Sequence, residues 1–430
     1  MGLRCWKKNR IYESPLVKTT VAMLVLLPAS LGAKILIPMD LTQTDHLKAY
    51  GLAYKSLEMG WDVEWLLNYR GGSFLLLDRE LLRKEAKIRG VYYELLTTAF
   101  EAEMNGVIDE NNMDIILLEK APSVAIYTPP NREPWDDAVT LALTYADIPY
   151  ETVWDREVLQ GKLSSYDWLH LHHEDFTGQF NRFYIHYGQA AWFKEDVEVN
   201  TRMASELGFA TVADMKAAVS VRIKQYVLDG GFLFAMCSAP ETFEIALAAQ
   251  GVDIVAAEVD GTPIDPNAQS KLDFSKTLAF SHFTLVADAS INAFSSIDGH
   301  HVNTPGRKPL GFFKLFEFSA KYDPVPTMLT QNHVNYIEDF YGLTTSFTRE
   351  TLNPAVTVMA FEEGKPWVKY VHGNAGRGTF TYLGGHDPED KQHAIGDPPT
   401  RLEVHKNSPG YRLILNNILF PAARKKELKT

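Results

Sequence analysis

Cys237 is the residue whose type and position most clearly allow chemistry. The apolar run Phe232–Met236 before it predicts a buried strand, and Glu241–Gln250 after it predicts a helix. A nucleophile on such a strand-to-helix turn lies at the carboxyl edge of an α/β sheet, where ligands bind. The positive end of the following helix would lower the thiol pKa and favour the thiolate. A lone cysteine can equally be an inert buried side chain, so both interpretations stand.

A thiolate nucleophile needs a base, and His386 comes in a matching context. It follows the predicted strand Gly378–Leu383, and two carboxylates, Asp387 and Glu389, come one and three residues after it. A cysteine, a histidine and an acid that orients the imidazole form the triad used in acyl transfer. Backbone N–H groups at Ser238 and at the start of the next helix are placed to receive an oxyanion. We therefore expect these strand ends to share one edge of the sheet.

A second group of polar residues follows the predicted strand Trp168–His172. If the strand continued, alternate side chains would face one side, and two histidines with a carboxylate suffice for a zinc site with an open position. One interpretation is a substrate-binding pocket without metal or cofactor, lined by His172, His173, Glu174 and Asp175. A second is zinc bound by His170, His172 and Glu174. The third is a hydrogen-bonded structural cluster.

These residues require a sheet to hold them, and the chain alternates predicted strands and helices from Lys34 onward. This alternation predicts an α/β fold with a parallel sheet covered by helices on both faces, a flavodoxin-like three-layer sandwich. The alternation restarts at Ser123, which favours an N-terminal α/β unit over residues 33–119 and a second one over residues 120–430. Residues 255–350 are turn-rich and read as an insertion in the second unit.

The late segment Gly376–Asp390, GRGTFTYLGGHDPED, and the strand-end cysteine resemble the class I glutamine amidotransferase-like superfamily, in particular its trehalose-utilisation-type branch. The likeness covers roughly residues 120–250 and 355–420. It implies the sandwich fold and a catalytic cysteine, histidine and acid at Cys237, His386 and Glu389 or Asp387. The sequence departs from the family because glycines do not flank Cys237 and because Asp387 displaces the acid by one position.

The whole chain also resembles secreted bacterial proteins labelled asparagine synthetase B. The stretches that carry this likeness are ILIPMDLTQTDHLKAYG, WLLNYRGGSFL, PWDDAVTLALTYA and WLHLHHEDFTGQ. That enzyme type requires a cysteine directly after the initiator methionine and a Ser-Gly-Gly-x-Asp pyrophosphate loop. Residue 2 is glycine and the sequence has no such loop, so the synthetase reaction is not expected here.

The first residues have the pattern of a targeting segment. A basic stretch with Arg4, Lys7, Lys8, Arg10 and Lys18 precedes the apolar run Val21–Leu27 and the small residues Ser30 and Gly32. This order is typical of a secretory signal peptide, residues 1–32, and predicts an exported protein, periplasmic or extracellular. The alternative is a buried N-terminal helix. The apolar run is too short for a comfortable membrane span, so no stable span is expected after signal removal.

Composition narrows the classes of function. The 430 residues include 42 basic and 54 acidic side chains, a net charge of −12, which lacks the electrostatic footprint of a nucleic-acid binder. Two cysteines exclude a disulfide framework and a cysteine-based zinc site. We expect an exported cysteine hydrolase or amidase acting on a small polar substrate. The alternatives are a non-catalytic ligand-binding or envelope module, and a metal-dependent hydrolase at residues 170–175. The sequence sets no oligomeric state.

Overall fold

The computed structural model describes residues 33–130, 137–299, 311–390 and 398–425. The predicted signal peptide, residues 1–32, lies outside them. From Ala33 onward the chain packs as one unit. A division of this part at residue 119 into two domains stays a prediction. Among the described residues, the helices are all too short or too polar to cross a membrane.

Fifteen strands are formed by the described residues. They are β1 Lys34–Ile37, β2 Val63–Leu67, β3 Ser73–Leu77, β4 Glu94–Leu95, β5 Asp114–Leu118, β6 Val124–Tyr127, β7 Glu151–Val153, β8 Trp168–Leu171, β9 Phe232–Met236, β10 Phe312–Leu315, β11 Tyr336–Glu338, β12 Phe347–Thr348, β13 Thr357–Phe361, β14 Trp367–Ala375 and β15 Gly378–Leu383. The strands predicted before Cys237 and before His386 are β9 and β15.

The same residues form twelve α-helices. They are α1 His46–Glu58, α2 Glu80–Arg89, α3 Thr98–Glu110, α4 Ala138–Tyr145, α5 Asp155–Leu159, α6 Tyr184–Tyr187, α7 Ala191–Glu206, α8 Val212–Leu228, α9 Ala239–Ala248, α10 Ala257–Asp260, α11 Ala268–Lys271 and α12 Pro409–Leu419. Side-chain caps define several starts, because a side-chain oxygen accepts an otherwise unpaired backbone N–H of the first turn. Asp45, Thr97, Thr211 and Ser408 cap α1, α3, α8 and α12 in this way.

The first sheet has the order β4-β1-β3-β2-β5, and all its neighbouring strands are antiparallel. The prediction of a parallel sheet is wrong for this part of the chain. Strands β2 and β3 are joined by residues 68–72 alone, and a parallel connection needs a crossover of a dozen residues or more. Asn68 and Arg70 adopt left-handed backbone conformations in this turn, with φ of 62° and 46°.

The second sheet is mixed. Its order is β11-β10-β13-β14-β15-β9-β8-β6-β7, with β12 paired to β14. Strands β15, β9, β8, β6 and β7 are mutually parallel, and the others pair antiparallel. The predicted flavodoxin-like parallel sandwich is therefore wrong as a description of the fold. The physical reason is again a short connection: only Gly376 and Arg377 separate β14 from β15, which makes them a hairpin.

The parallel part of the second sheet is buried on both faces. Along β6, Val124 and Ile126 pack in a core shared with the first sheet and with α1, α4 and α12. Ala125 and Tyr127 pack on the opposite side, in a core with α8 and α9. Because side chains alternate along a strand, a sheet buried on both faces needs apolar residues at every position. This packing on both faces fixes the position of each parallel strand's carboxyl end relative to its neighbours.

One buried cation connects the C-terminal helix to the first sheet. Arg412 on α12 is fully buried. Its guanidinium donates to Met39 O at 2.8 Å, to Gly71 O and to the Tyr50 hydroxyl at 3.0 Å. Guanidinium offers five donors in a planar fork, so one side chain can satisfy acceptors from several elements at once. The contact therefore ties α12 to α1 and to the ends of β1 and β2.

We expect Arg412→Met to lower the free energy of unfolding by about 3 kcal/mol, because two buried carbonyls lose a charged donor. Chemical denaturation followed by circular dichroism measures this. The control is Arg401→Met, which replaces an exposed arginine that precedes α12 in the chain. It should change the free energy of unfolding by less than about 0.5 kcal/mol. Equal effects of the two substitutions would contradict the structural role of Arg412.

Candidate functional site

The carboxyl ends of four neighbouring parallel strands meet at one edge of the second sheet. Leu383 at the end of β15 pairs with Met236 of β9, and Leu171 at the end of β8 pairs with Ala235 of β9 and Tyr127 of β6. The residues that follow these strands must therefore lie side by side. This register brings together segments from three distant parts of the sequence, around residues 172, 237 and 386.

Cys237 comes directly after β9 in a strained conformation. Its φ of 57° lies in the left-handed region, which costs a non-glycine residue roughly 1–2 kcal/mol. Its N–H donates to Leu383 O at 3.1 Å, which fixes the turn against the end of β15. Helix α9 begins at Ala239, two residues later. The turn therefore holds the fully buried thiol at the N-terminus of this helix.

His386 and Asp387 complete a chain of polar contacts with the thiol. The Cys237 side chain hydrogen-bonds the His386 imidazole. A Cβ placed on Gly342 would lie 3.0 Å from both Cys237 Sγ and His386 Cδ2, so the two side chains flank that glycine. His386 Nδ1 lies 3.0 Å from Asp387 Oδ2. The structure thus brings together a cysteine, a histidine and a carboxylate in the order that acyl transfer uses.

The charges in this group favour a thiolate beside an imidazolium. Burial alone would raise the pKa of the Cys237 thiol, but the charge and hydrogen bond of His386 and the backbone N–H groups of Leu343 and Thr344 outweigh it and lower that pKa. Burial would likewise lower the pKa of His386, but Asp387 and Cys237 hold it well above its ordinary value. Each partner therefore stabilises the charged form of the other.

A backbone segment from the region predicted as an insertion covers the thiol. The N–H of Leu343 donates to Cys237 Sγ at 3.1 Å. Residues 341–345 are held on one side by the buried carboxylate of Glu241, which accepts from the Thr344 hydroxyl at 2.8 Å. On the other side, Gly385 donates to Thr344 O at 2.8 Å and His386 donates to Tyr341 O at 2.7 Å. Sequence reasoning missed this segment, because backbone donors leave no residue-type signal.

Asp137 is a further site residue that sequence reasoning missed. It caps α4, accepting from Val139 N at 2.7 Å. Its two carboxylate oxygens also lie 2.9 Å from His172 Nδ1 and 3.1 Å from His170 Nε2. Burial would raise its pKa, but His172 and His170 hold that pKa well below the usual range. The available signal was its position after β6, since a helix that follows a parallel strand begins at the same edge of the sheet.

The histidines after β8 do not keep the strand alternation that the sequence suggested, because β8 ends at Leu171. His172 and His173 both turn toward the base: their ring centroids lie 4.6 Å and 5.6 Å from that of His386 and 4.2 Å from each other. Burial lowers the pKa of His172, opposed by Asp137. His170 stays within the strand, with Nδ1 3.1 Å from Phe234 O.

The remaining predicted residues lie around this centre. Glu389 contacts His405, with 3.2 Å between Oε2 and Nδ1, while Asp387 is the carboxylate beside His386. The Ser238 hydroxyl donates to His173 O at 3.1 Å and so holds the histidine segment against α9. Glu174 and Asp175 line a cavity of about 20 Å³, room for one water molecule. Asp175 also accepts from the backbone of Thr177 and Asn181.

Two groups of potential metal ligands are present among the described residues. One is Asp137, His170 and His172, and the other is His172, His173 and His386. In each group the ligand atoms lie within 4.8 Å of one another. Glu174, the carboxylate of the zinc alternative that the sequence suggested, belongs to neither group. Imidazole nitrogens suit zinc and related divalent metals.

No family model and no curated protein matches this sequence. Among solved structures, two cytoplasmic proteins from Salmonella typhimurium are similar. The alignment to the first covers 71% of this chain and 100% of that protein, at 11% identity and a TM-score of 0.34. The alignment to the second covers 70% of this chain and 99% of that protein, at 11% identity and a TM-score of 0.35. A β-galactosidase from Bacillus circulans sp. alkalophilus covers 63% of this chain and 29% of its own, at 10% identity and a TM-score of 0.27. Likenesses this weak carry no argument about activity.

The predicted exported location is corrected by this comparison. The two Salmonella proteins match over about 70% of this chain, and both are named cytoplasmic proteins. Those names belong to the Salmonella proteins, and export is not retained for this chain. The pattern in residues 1–32 on which the prediction depended lies outside the described residues.

Gly342→Ala should disturb the contact between thiol and imidazole. Its φ of 152° is unfavourable for any side chain, and the added Cβ would push on Cys237 Sγ and His386 Cδ2. We expect iodoacetamide to alkylate Cys237 more slowly at pH 6 in this variant, because the sulfur loses part of its stabilising charge. Peptide mass spectrometry of the alkylated protein measures the rate.

Gly364→Ala is the matched control. Gly364 also has a positive φ, 73°, but its Cβ would have nothing within 4 Å. Both variants should lose roughly 1–2 kcal/mol of unfolding free energy for the left-handed backbone, and only Gly342→Ala should change the alkylation rate. If neither variant changes the alkylation rate, the close packing of Gly342 against Cys237 and His386 does not set the geometry of these two side chains.

Proposed function

We propose that this protein is a cysteine-dependent hydrolase or amidase of amidotransferase-like type that acts on a small polar substrate. Cys237 is the nucleophile, His386 is the base, and Asp387 orients the imidazole. The observation that carries the proposal is the continuous contact from Cys237 through His386 to Asp387, with 3.0 Å between His386 Nδ1 and the carboxylate. The lowered thiol pKa and the position at the N-terminus of α9 support the same assignment.

The reaction follows from these roles. The Cys237 thiolate attacks the carbonyl carbon of an amide or ester, and the carbonyl electron pair moves to oxygen. N–H groups at the start of α9 stabilise this oxyanion. As the intermediate collapses, the leaving group takes the proton held by His386 and a thioester remains. His386 then removes a proton from water, the hydroxide attacks the thioester, and the acid is released as the thiolate and the imidazolium re-form.

The surroundings of the thiol favour a small polar substrate. Cys237 is fully buried, and only 12% of the His386 side chain is exposed, so the entrance is narrow. His172 and His173 supply polar ring edges beside the base. A net charge of −12 disfavours nucleic acid as a partner. Acyl transfer through a thioester requires no metal or organic cofactor, so none is assigned to this reaction.

The complete burial of Cys237 favours one second candidate, a ligand-binding protein in which the Cys237–His386 pair only stabilises the fold. In that case the segment 341–345 would stay closed over the sulfur and the thiol would never meet a substrate. The two candidates differ in a measurable property, because a nucleophile must ionise and be reached at working pH, whereas a structural thiol need not be.

The pH dependence of alkylation tests the thiolate. In a Cys5→Ser background, Cys237 is the sole thiol. We expect its iodoacetamide rate to fall much less between pH 8 and pH 6 than the rate of an ordinary thiol does, because its pKa is lowered. A thiol with the ordinary pKa of about 8.5 would slow about 75-fold over this interval. Burial slows both rates alike, so the ratio reports ionisation. A ratio near that of an ordinary thiol would refute the ion pair.

Turnover of a panel of small amides and esters tests the roles. Cys237→Ser should lower kcat/KM at least about 10³-fold, and Asp387→Asn should lower it strongly because the imidazole loses its orienting acceptor. Glu389→Gln is the matched carboxylate control and should keep most of the activity, since Glu389 contacts His405 instead. A larger loss in Glu389→Gln than in Asp387→Asn would reverse the assignment. Turnover that is unaffected by Cys237→Ser would favour the ligand-binding candidate.

A further inference from the structure

Three histidines converge beside the thiol from two different strand ends. His172 and His173 follow β8, and His386 follows β15. One nitrogen from each ring lies within 4.8 Å of the others, close enough for a single ion to reach all three after small adjustments. Nothing in the cysteine mechanism requires His172 and His173 to converge on the base in this way.

The environment of His172 leaves one nitrogen available. Its Nδ1 lies 2.9 Å from Asp137 Oδ1, which accepts a hydrogen bond from that nitrogen. The lone pair is then on Nε2, which is buried and has no hydrogen-bond partner among the described residues. The side chain as a whole is 5% exposed. A buried nitrogen without a partner is unfavourable unless something binds there.

His386 has the same arrangement. Asp387 Oδ2 accepts from its Nδ1 at 3.0 Å, which directs Nε2 away from that carboxylate. Metal-binding histidines characteristically donate their second ring N–H to a carboxylate, which fixes the tautomer and orients the ring. Two of the three converging histidines therefore already have the outer partner of a metal ligand.

Asp137 itself belongs to this outer layer. Its oxygens accept from the backbone of Val139 and from the rings of His170 and His172. To bind an ion, this carboxylate would have to give up hydrogen bonds from three donors. We therefore interpret the group Asp137, His170 and His172 as a hydrogen-bonded network. Its effect is to aim His172 toward His173 and His386.

We propose that His172, His173 and His386 bind one zinc ion through three imidazole nitrogens, with Asp137 and Asp387 as their outer hydrogen-bond acceptors. Three histidine ligands suit zinc and leave one coordination position open. This set differs from the zinc ligands that the sequence suggested, because it exchanges His170 and Glu174 for His173 and His386. Since the ion and the cysteine reaction both need His386, zinc would block that reaction reversibly, a consequence that depends on the proposed function.

Calorimetry with zinc chloride on the chelator-treated full-length protein tests the site. We expect one ion per chain. His172→Ala should weaken binding at least 100-fold, and Asp137→Asn should weaken it about 10- to 100-fold, as loss of an outer partner does. His405→Ala, a histidine beside Glu389 rather than in the group, is the matched control and should bind as the unmodified chain does. Equal affinity in His172→Ala and His405→Ala overturns the proposal.

A second measurement keeps the test independent of folding in the His172 variant. X-ray absorption of the zinc-loaded protein should show imidazole nitrogens at about 2.0 Å, and a shell without imidazole overturns the site. The half-buried His173 gives a further variant, and His173→Ala should also weaken binding at least 100-fold.

Zinc affinity and cysteine reactivity can fail separately. Cys237→Ser should keep zinc binding, because the sulfur is not one of the three ligands. If no Cys237-dependent turnover is found but zinc binds, the proposed cysteine reaction is refuted and the proposed metal site stands. If the protein turns over substrate through Cys237 but does not bind zinc, only the proposed metal site is refuted.

Discussion

The parallel register of β15, β9, β8 and β6 is the constraint on which the rest of the site depends. Each of these strands is buried on both faces, so its end is fixed by packing against two layers of apolar side chains. A shift of one residue in any of them would turn its side chains to the opposite core. The segments that follow the strands must accordingly meet, and they carry His386, Cys237, His172 and the helix capped by Asp137.

The same edge concentrates groups that would be unfavourable alone. Burial opposes ionisation of Cys237, His386 and Asp137, and in each case neighbouring charges reverse or outweigh that effect. The left-handed turn at Cys237 adds backbone strain. Strain and buried charge persist only where surrounding structure over-determines them, and two cores and a covering segment do so here. This combination is what separates the edge from an ordinary buried polar cluster.

The antiparallel parts of the molecule pack around the candidate site at the carboxyl ends of the parallel strands. The first sheet and α12 share one core with the parallel strands, and Arg412 joins them through backbone carbonyls. The region between α11 and β13 supplies the segment 341–345, which brings a backbone donor to the sulfur and covers it. The shape of the site is thus set by elements that contribute few reactive side chains of their own.

The sequence by itself determined the local elements and the reactive residue types. The continuous apolar run Phe232–Met236 placed β9, and the segment Gly378–Leu383, rich in threonine and aromatic residues, placed β15. The residues that follow these two strands marked Cys237 and His386. It did not determine the pairing: the antiparallel first sheet and the β14–β15 hairpin depend on connection length and partner choice, which hydrophobicity does not encode. Only the tertiary structure decided that Asp387 contacts the base, that Asp137 orients His172, and that Leu343 donates to the sulfur. Those contacts join residues far apart in sequence or use backbone atoms, so no local pattern records them.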